Sequence, residues 1–215
     1  MSAKPKQLVL VDLDRTLFDS DRFYVDICRL LANAKLIPQL VLTESIKQLG
    51  AATRSLYLTE LIKSNHLNPG AAFDLVRPQL EPNAYLHPDV PNFLNHFKAA
   101  TMVIITTGEY DYQNFKFQLS PLLAKAQLQV ISTLDKGAYI DERLKNQNAK
   151  LSLDGITPGE WFDQVYFIDD RAYNFNSLVN KNNVKLYHIL RTSGKASVPF
   201  AGPGVSIVND LKHVI

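Results

Sequence analysis

The feature that most constrains this chain is an apolar run that ends abruptly in acidic residues. Residues 8–11 are Leu-Val-Leu-Val, and Asp12 and Asp14 follow directly in the string Asp-Leu-Asp-Arg-Thr. Four aliphatic residues in a row, without a helical period, predict a strand that is buried on both faces. Because open α/β sheets assemble ligand sites at the carboxyl ends of their strands, both carboxylates are expected at such a site.

Asp12 and Asp14 would point to the same side of an extended chain, since side chains alternate with period two. Two carboxylates that face one point repel each other unless a cation or a shared proton lies between them. The pattern therefore predicts a Mg²⁺ site, a nucleophile with an acid/base partner, or both.

Size, charge and cysteine content narrow the class of protein. A chain of 215 residues fits one core domain with a modest insertion. Its net charge of +2 is too small to indicate a nucleic-acid partner or an acidic membrane surface. The single cysteine, Cys28, excludes an internal disulfide and a thiolate metal cluster. With no apolar segment near the ~20 residues that span a bilayer and no signal peptide, we expect a cytoplasmic monomer or homodimer without membrane partners.

Further apolar runs recur along the chain and alternate with helical patterns. Strand-like runs occupy Leu8–Val11, Thr101–Ile105, Leu128–Ile131, Val165–Ile168 and Val184–Leu190. Helical periodicity lies between most of them, at Val90–Phe97, Gln113–Leu123 and Ala138–Leu144. This alternation predicts a three-layer, Rossmann-like α/β fold with a parallel sheet.

The segment between the first two strands breaks this rhythm. It shows helical spacing of apolar residues at Phe23–Ala34, Leu40–Leu49, Leu56–Lys63 and Ala71–Leu80. We interpret residues 19–85 as a helical cap domain, inserted into a core domain formed by residues 1–18 and 86–215.

Polar residues suited to phosphate follow the second and third strands. Thr106, Thr107 and Gly108 would offer a hydroxyl and glycine-exposed amides at the start of a helix, an arrangement that holds phosphate. Lys136 follows the third strand, where its ammonium could neutralise a nucleophile and a substrate phosphate.

A second acidic pair follows the fourth strand. Asp169 and Asp170 would face Asp12 and Asp14 across the sheet edge and complete a set of hard oxygen ligands suited to Mg²⁺. Burying four carboxylates together without a cation would be very costly.

These motifs together resemble the haloacid dehalogenase-like (HAD) hydrolase superfamily. The segments that carry the resemblance are DLDRT at Asp12–Thr16, the hydroxyl of TTG at Thr106, the lysine of DKG at Lys136 and the acidic pair Asp169–Asp170. The stretch Thr106–Lys116 also resembles the T-x-G-x-x-x-x-Q-x-x-K run of many bacterial members, and the helical insertion resembles their cap.

The resemblance implies a Mg²⁺-dependent phosphatase that acts on a small phosphorylated metabolite. Asp12 would be the nucleophile that forms an aspartyl-phosphate, an established role for aspartate. Asp14 would protonate the leaving group and then activate water, which requires a raised pKa. The metal would be held by the Asp12 carboxylate, the Asp14 carbonyl and the acidic pair, principally Asp170, while Thr106 and Lys136 would hold the phosphoryl group.

Several alternatives stay open at this stage. Lys145 or Lys150 could supply the motif lysine in place of Lys136, although neither follows a strand directly. A phosphomutase would use the same residues, and a non-catalytic phosphate-binding or regulatory protein could share the fold. A carbon–halogen hydrolase would not need Asp14, because no leaving oxygen requires a proton.

Substrate contacts are less constrained by the sequence. Arg15 stands where many members of the superfamily have glycine, and it could reach toward the cap or the substrate. Arg54, Tyr57 and Lys63 are further polar candidates within the predicted cap.

Overall fold

A parallel sheet built around the first strand organises the computed structural model, which describes residues 5–38, 51–191 and 202–214, with residues 51–54 as backbone only. The strands are β1 (Gln7–Val11), β2 (Thr101–Thr107), β3 (Gln127–Ile131), β4 (Leu144–Gln147), β5 (Lys150–Leu153), β6 (Gln164–Asp169), β7 (Val184–Ile189) and β8 (Val205–Val208). Six of them form one sheet in the order β3-β2-β1-β6-β7-β8, and every neighbouring pair is parallel. β4 and β5 form a separate antiparallel hairpin.

The central strand is buried on both faces, as its unbroken apolar run predicts. Leu8 and Leu10 pack into one hydrophobic cluster, and Val9 and Val11 pack into the other. All four side chains have no exposed surface. Each contributes about 1.5–3 kcal/mol of burial free energy, which fixes β1 in the middle of the fold.

Helices cover both faces of the sheet. They are α1 (Ser20–Asn33), α2 (Ala51–Ser64), α3 (Pro69–Val76), α4 (Val90–His96), α5 (Tyr110–Gln118) and α6 (Lys136–Asp141). Buried residues of α1 to α5 belong to the cluster on one face, whereas α6 and the β4–β5 hairpin contribute to the other. The predicted α/β fold with a parallel sheet is confirmed. None of the helices in the described ranges is long and apolar enough to span a membrane.

The predicted cap segment is helical wherever the structure describes it. It contains α1, α2 and α3, while the predicted helix Leu40–Leu49 lies outside the described residues. Phe73 of α3 stacks on Phe115 of α5 with ring centroids 5.2 Å apart, and Phe23 of α1 lies 6.1 Å from the same ring. These helices therefore share one hydrophobic cluster with the sheet. The division into a core domain (1–18 and 86–215) and a cap domain (19–85) stays a prediction.

Several element boundaries differ from the sequence-based prediction, and two of the differences have a clear local cause. The helix predicted for Ala138–Leu144 ends at Asp141, and Leu144 begins the hairpin. Asn148 and Ala149 both have positive φ, 51° and 59°, which gives the two-residue turn typical of hairpins. The predicted helix Gln113–Leu123 ends early, because Pro121 interrupts the helical hydrogen-bond pattern.

A buried ion pair between Arg191 and Asp89 connects the end of β7 to the loop after β1. The Arg191 guanidinium donates to both oxygens of Asp89 at 2.6 and 3.0 Å and to the Thr16 carbonyl at 2.7 Å. The Leu211 amide donates to the same carboxylate at 2.7 Å. Burial alone would raise the pKa of Asp89, but the hydrogen bonds from Arg191 and Leu211 lower it below the ordinary value of 3.8.

The replacement Asp89→Asn should lower the free energy of unfolding by about 3 kcal/mol at pH 7, because it leaves a buried guanidinium unpaired. A carboxylate with a lowered folded pKa stabilises the protein above the pKa of the unfolded chain, and this contribution disappears as the pH falls through the folded value. The difference from wild type should therefore shrink below about pH 3.8. Urea unfolding followed by Trp161 fluorescence measures it, with the exposed Asp154→Asn as control. A pH-independent difference would contradict this account.

Candidate active site

The site forms at the point in the sheet where the strand order reverses, between β1 and β6. From β1 the chain proceeds to β2 and β3 on one side, and then places β6, β7 and β8 on the other. The Asp12 amide donates to the Ile168 carbonyl at 2.9 Å, so the carboxyl ends of β1 and β6 lie side by side. Ligands of open α/β sheets bind in the crevice at this kind of reversal.

A buried lysine joins the acidic residues of these two strands. The Lys136 ammonium forms an ion pair with Asp12 and donates to Asp169 Oδ2 at 2.9 Å. Lys136 is 2% exposed and Asp169 is fully buried. Burial opposes the charge on Lys136, but the two carboxylates raise its pKa above the usual lysine value, so the ammonium stays charged. Lys136 thus neutralises part of the acidic cluster.

Backbone contacts hold Lys136 at this position. The Lys136 amide donates to Asn174 Oδ1 at 3.0 Å, and the Asp135 side chain caps α6 by accepting from the Ala138 amide at 2.9 Å. A Cβ atom on Gly137 would lie 2.1 Å from the Asn174 carbonyl oxygen. Only glycine permits this close approach between the start of α6 and the segment after β6.

The alternative lysines lie elsewhere. Lys145 pairs with Asp154, and Lys150 lies 3.6 Å from Asp163, each in an exposed surface pair. Among the three lysines considered, Lys136 is the one that reaches Asp12.

Three carboxylates at this edge could hold a metal ion. One carboxylate oxygen from each of Asp12, Asp169 and Asp170 lies within 4.8 Å of the others. Burial, together with the neighbouring negative charges, raises the pKa of Asp12 to about 6, although Lys136 opposes the shift. The pKa of Asp170 is raised well above its ordinary value by burial and by the charges of Asp12 and Asp169. A divalent cation would relieve this repulsion, and hard oxygen ligands suit Mg²⁺, so the donor set fits such an ion.

Asp14 occupies a different environment from Asp12. Its carboxylate forms an ion pair with the fully buried Lys116, accepts a hydrogen bond from Ser20 Oγ, and accepts a hydrogen bond from Gln113 Nε2 at 2.9 Å. The Thr106 hydroxyl lies 3.5 Å from the same carboxylate. Burial alone would raise the pKa of Asp14, but the charge and hydrogen bonds of Lys116 dominate and lower it to about 2.

The expectation of a raised pKa for Asp14 was therefore wrong. The buried Lys116 ammonium beside the carboxylate lowers this pKa, and the local sequence around Asp14 does not place it there. Asp14 is ionised in this structure, because protonation would leave Lys116 without its anionic partner.

Some of the predicted site residues line a small cavity, and others are buried beside it. The cavity is lined by Asp12, Asp14, Arg15, Thr107, Lys136, Asp170 and Arg171. Thr106 and Asp169 are fully buried behind this lining. Gly108, with φ of 136°, packs instead against Gln113 and Ser55, whose side-chain atoms lie 2.8 and 2.9 Å from where a Cβ would be. Of the predicted phosphate-binding triplet, Thr107 is thus the residue at the cavity surface.

Arg15 also lines the cavity, with its charge already paired. Its φ of 62° is a left-handed conformation that favours glycine. The guanidinium donates from Nε and from one terminal nitrogen to the two oxygens of Asp21, both at 3.0 Å. Tyr57 and Lys63 do not line the cavity, and the side chain of Arg54 lies outside the described part of the structure.

Four further residues contact the site or line its cavity without having been predicted as site residues: Ser20, Gln113, Lys116 and Arg171. Gln113 and Lys116 are three positions apart and share one face of α5, which turns both toward Asp14. Their place in the run Thr106–Lys116 was a usable signal. Ser20 and Arg171 carry no comparable pattern, because their position depends on how loops fold over the sheet.

Comparison with known proteins identifies the fold. No protein-family model and no curated protein matches the sequence. Solved structures that match include a magnesium-bound protein from Bacillus subtilis assigned as a HAD hydrolase, at 16% identity and a TM-score of 0.54, covering 98% of this chain and 97% of that one. A protein from Thermotoga maritima assigned as β-phosphoglucomutase matches at 14% identity and a TM-score of 0.56, covering 97% of this chain and 96% of that one. L-2-haloacid dehalogenase from Xanthobacter autotrophicus matches at 15% identity and a TM-score of 0.52, covering 97% of this chain and 96% of that one.

These structures share the fold of HAD hydrolases, and the present chain adopts it along nearly its whole length. The fold implied by the motif resemblance is confirmed. At such low sequence identity, the chemistry has to be argued from the site residues themselves.

Adding MgCl₂ should raise the Tm by several degrees, since a ligand at a hundredfold excess over its Kd stabilises by about 2.7 kcal/mol. The replacement Asp170→Asn should abolish this rise and leave the metal-free protein at least as stable as wild type, because it removes one of three repelling carboxylates. Thermal unfolding with EDTA or MgCl₂ tests both points, with Asp154→Asn as the matched exposed control. An unaltered response in Asp170→Asn would contradict a metal site here.

Proposed function

We propose that the protein is a Mg²⁺-dependent phosphatase that hydrolyses a small phosphorylated metabolite through an aspartyl-phosphate on Asp12. The observation that carries the proposal is the position of the Asp12 carboxylate. It lies at the surface of the cavity, paired with Lys136 and within 4.8 Å of the carboxylates of Asp169 and Asp170. This arrangement combines a nucleophile, a positively charged ammonium group and a cluster of metal ligands, which is what phosphoryl transfer to a carboxylate requires.

In the first step, an oxygen of Asp12 attacks the phosphorus, the bond to the leaving oxygen breaks, and that oxygen takes up a proton, which comes from solvent in the first turnover because Asp14 starts ionised. The Lys136 ammonium, already beside Asp12, would offset negative charge on the phosphoryl oxygens. Asp12, Asp169 and Asp170 would hold Mg²⁺. When bound, Mg²⁺ supplies further charge neutralisation for the phosphoryl group. Thr107, which lines the cavity, and its neighbour Thr106 are the candidate hydroxyl donors among the predicted phosphate-binding residues.

In the second step, water attacks the phosphorus of the aspartyl-phosphate. Its proton passes to Asp14, the bond between phosphorus and the Asp12 oxygen breaks, and inorganic phosphate leaves. The ion pair with Lys116 supports this assignment, because it keeps Asp14 in the ionised form that can accept a proton. In later turnovers this proton passes from Asp14 to the leaving oxygen of the next substrate molecule, so that each cycle consumes one water and releases one alcohol and one inorganic phosphate.

Other functions of the same fold are less well supported. A dehalogenase needs no acid/base partner two residues after the nucleophile, yet Asp14 is held by Ser20, Gln113 and Lys116. A phosphomutase would use the same residues, and transfer of phosphate between two positions of one sugar would distinguish it. A non-catalytic binding protein would not need Asp12 and Asp14 to have opposite pKa shifts. A phosphorylated small molecule as partner and a cytoplasmic monomer or homodimer are parts of this proposal.

The replacement Asp12→Asn should reduce phosphatase turnover to background, because an amide is a far poorer nucleophile and metal ligand than a carboxylate. Release of p-nitrophenol from p-nitrophenyl phosphate with MgCl₂ measures turnover, and excess EDTA should abolish it in wild type. A beryllium fluoride adduct should form on wild type and not on the variant. Full activity of Asp12→Asn, or of wild type in EDTA, would overturn the mechanism.

The replacement Asp14→Asn should slow steady-state turnover by about 10²–10⁴-fold. With p-nitrophenyl phosphate, whose leaving group needs no proton, the first step should be less affected, so a burst of p-nitrophenol equal to the enzyme concentration should precede slow turnover. Rapid-mixing absorbance detects the burst, and mass spectrometry of the quenched protein should detect phosphorylated enzyme. If turnover slows without a burst, Asp14 acts mainly in the first step instead.

A further inference from the structure

Three cationic side chains line the cavity, and two of them are already paired. Lys136 contacts Asp12 and Asp169, and Arg15 forms a two-point ion pair with Asp21. The third is Arg171, which directly follows the acidic pair at the end of β6. The nearby charges of Asp170 and Asp12 help to raise its pKa, but within the described residues its guanidinium is within ion-pair distance of neither carboxylate.

Arg171 has a hydroxyl group as its side-chain partner. One terminal guanidinium nitrogen donates to the Tyr173 hydroxyl at 2.7 Å, and the guanidinium lies 6.0 Å from the centre of that ring. Within residues 5–38, 51–191 and 202–214, Arg171 forms no ion pair with a carboxylate. Because a guanidinium presents five donors in a planar fork, one bond to Tyr173 leaves most of them available.

We propose that Arg171 binds a second anionic group of the substrate, a carboxylate or a second phosphate carried by the part that leaves. This inference rests on the proposed function, because it presumes that a phosphoryl group is attacked by Asp12. Lys136, which is paired with Asp12, is the proposed lysine partner of that phosphoryl group. A second, unpaired cation in the same cavity therefore matches a substrate with a second negative charge.

The chemistry of Arg171 agrees with this role. A guanidinium recognises carboxylate and phosphate oxygens through two parallel hydrogen bonds, which gives geometric selectivity as well as attraction. Tyr173 would act as a positioning residue, since its hydroxyl fixes one terminal nitrogen of Arg171 and so orients the fork. The substrate class is thus a phosphomonoester of an acidic molecule, as opposed to one of a neutral alcohol or sugar.

A matched pair of ligands tests the proposal. The compounds 3-phosphoglycerate and glycerol 3-phosphate differ in that one carries a carboxylate where the other carries a hydroxymethyl group. Both are measured with MgCl₂ as substrates, for KM and kcat, and as competitive inhibitors of p-nitrophenyl phosphate hydrolysis, for Ki. Wild type should have the higher kcat/KM and the lower Ki for 3-phosphoglycerate, the compound that carries the carboxylate.

Arg171→Gln should raise the KM or Ki of 3-phosphoglycerate about 10–100-fold, the usual effect of losing a charge-assisted pair, and should change that of glycerol 3-phosphate less than about threefold. Arg171→Lys should restore part of the preference, because it keeps the charge without the fork. The matched control is Arg143→Gln. Arg143 also lies beside a tyrosine, 3.7 Å from the Tyr139 ring centre, but does not line the cavity.

The outcomes distinguish failure of the Arg171 inference from failure of the proposed function. An equal loss for both ligands would overturn the proposal, because Arg171 would then serve the transferring phosphoryl group. The absence of any wild-type preference, or a preference unchanged in Arg171→Gln, would overturn it as well. If wild type hydrolyses no phosphate ester, including p-nitrophenyl phosphate, the proposed function itself fails and this inference fails with it.

Discussion

The repulsion among four carboxylates at one edge of the sheet is the constraint on which the rest of the site depends. Asp12, Asp14, Asp169 and Asp170 converge there, and the structure offsets them with the buried lysines Lys116 and Lys136. Even with the Arg171 guanidinium added to the two ammonium groups, the four carboxylates leave an excess of negative charge, which a divalent cation would offset. The raised pKa values of Asp12 and Asp170 show where that excess lies, since both belong to the possible metal cluster.

Two aspartates separated by one residue acquire opposite properties from their surroundings. The pKa of Asp12 is raised to about 6 by burial and by neighbouring carboxylates, whereas Lys116 and its hydrogen-bonding neighbours lower that of Asp14 to about 2. Environments that push two carboxyl pKa values apart commonly separate a nucleophile from an acid/base group. Here the separation arises because α6 supplies the lysine for one aspartate and α5 supplies the lysine for the other.

Packing away from the chemistry holds these helices and loops in place. The absence of a side chain on Gly137 lets the start of α6 approach Asn174, and this approach brings Lys136 to the acidic cluster. On the other side, Arg191 binds both Asp89 and the Thr16 carbonyl, which anchors the loop that carries Asp14. Small changes at these supports would shift the ion pairs, because buried charges tolerate little displacement from their partners.

The sequence by itself determined the parts of this protein that depend on local pattern. The run Leu8–Val11 specified a strand buried on both faces, and the acidic residues after β1 and β6 indicated the edge at which the candidate site lies, because parallel strands end at the same side of a sheet. The β4–β5 hairpin was missed, since its turn depends on the positive φ of Asn148 and Ala149. Tertiary structure alone decided which lysine pairs with which aspartate, that Asp14 is ionised and that Arg171 reaches the cavity. These properties depend on distances between residues far apart in the chain, and Coulomb and desolvation energies follow those distances rather than sequence spacing.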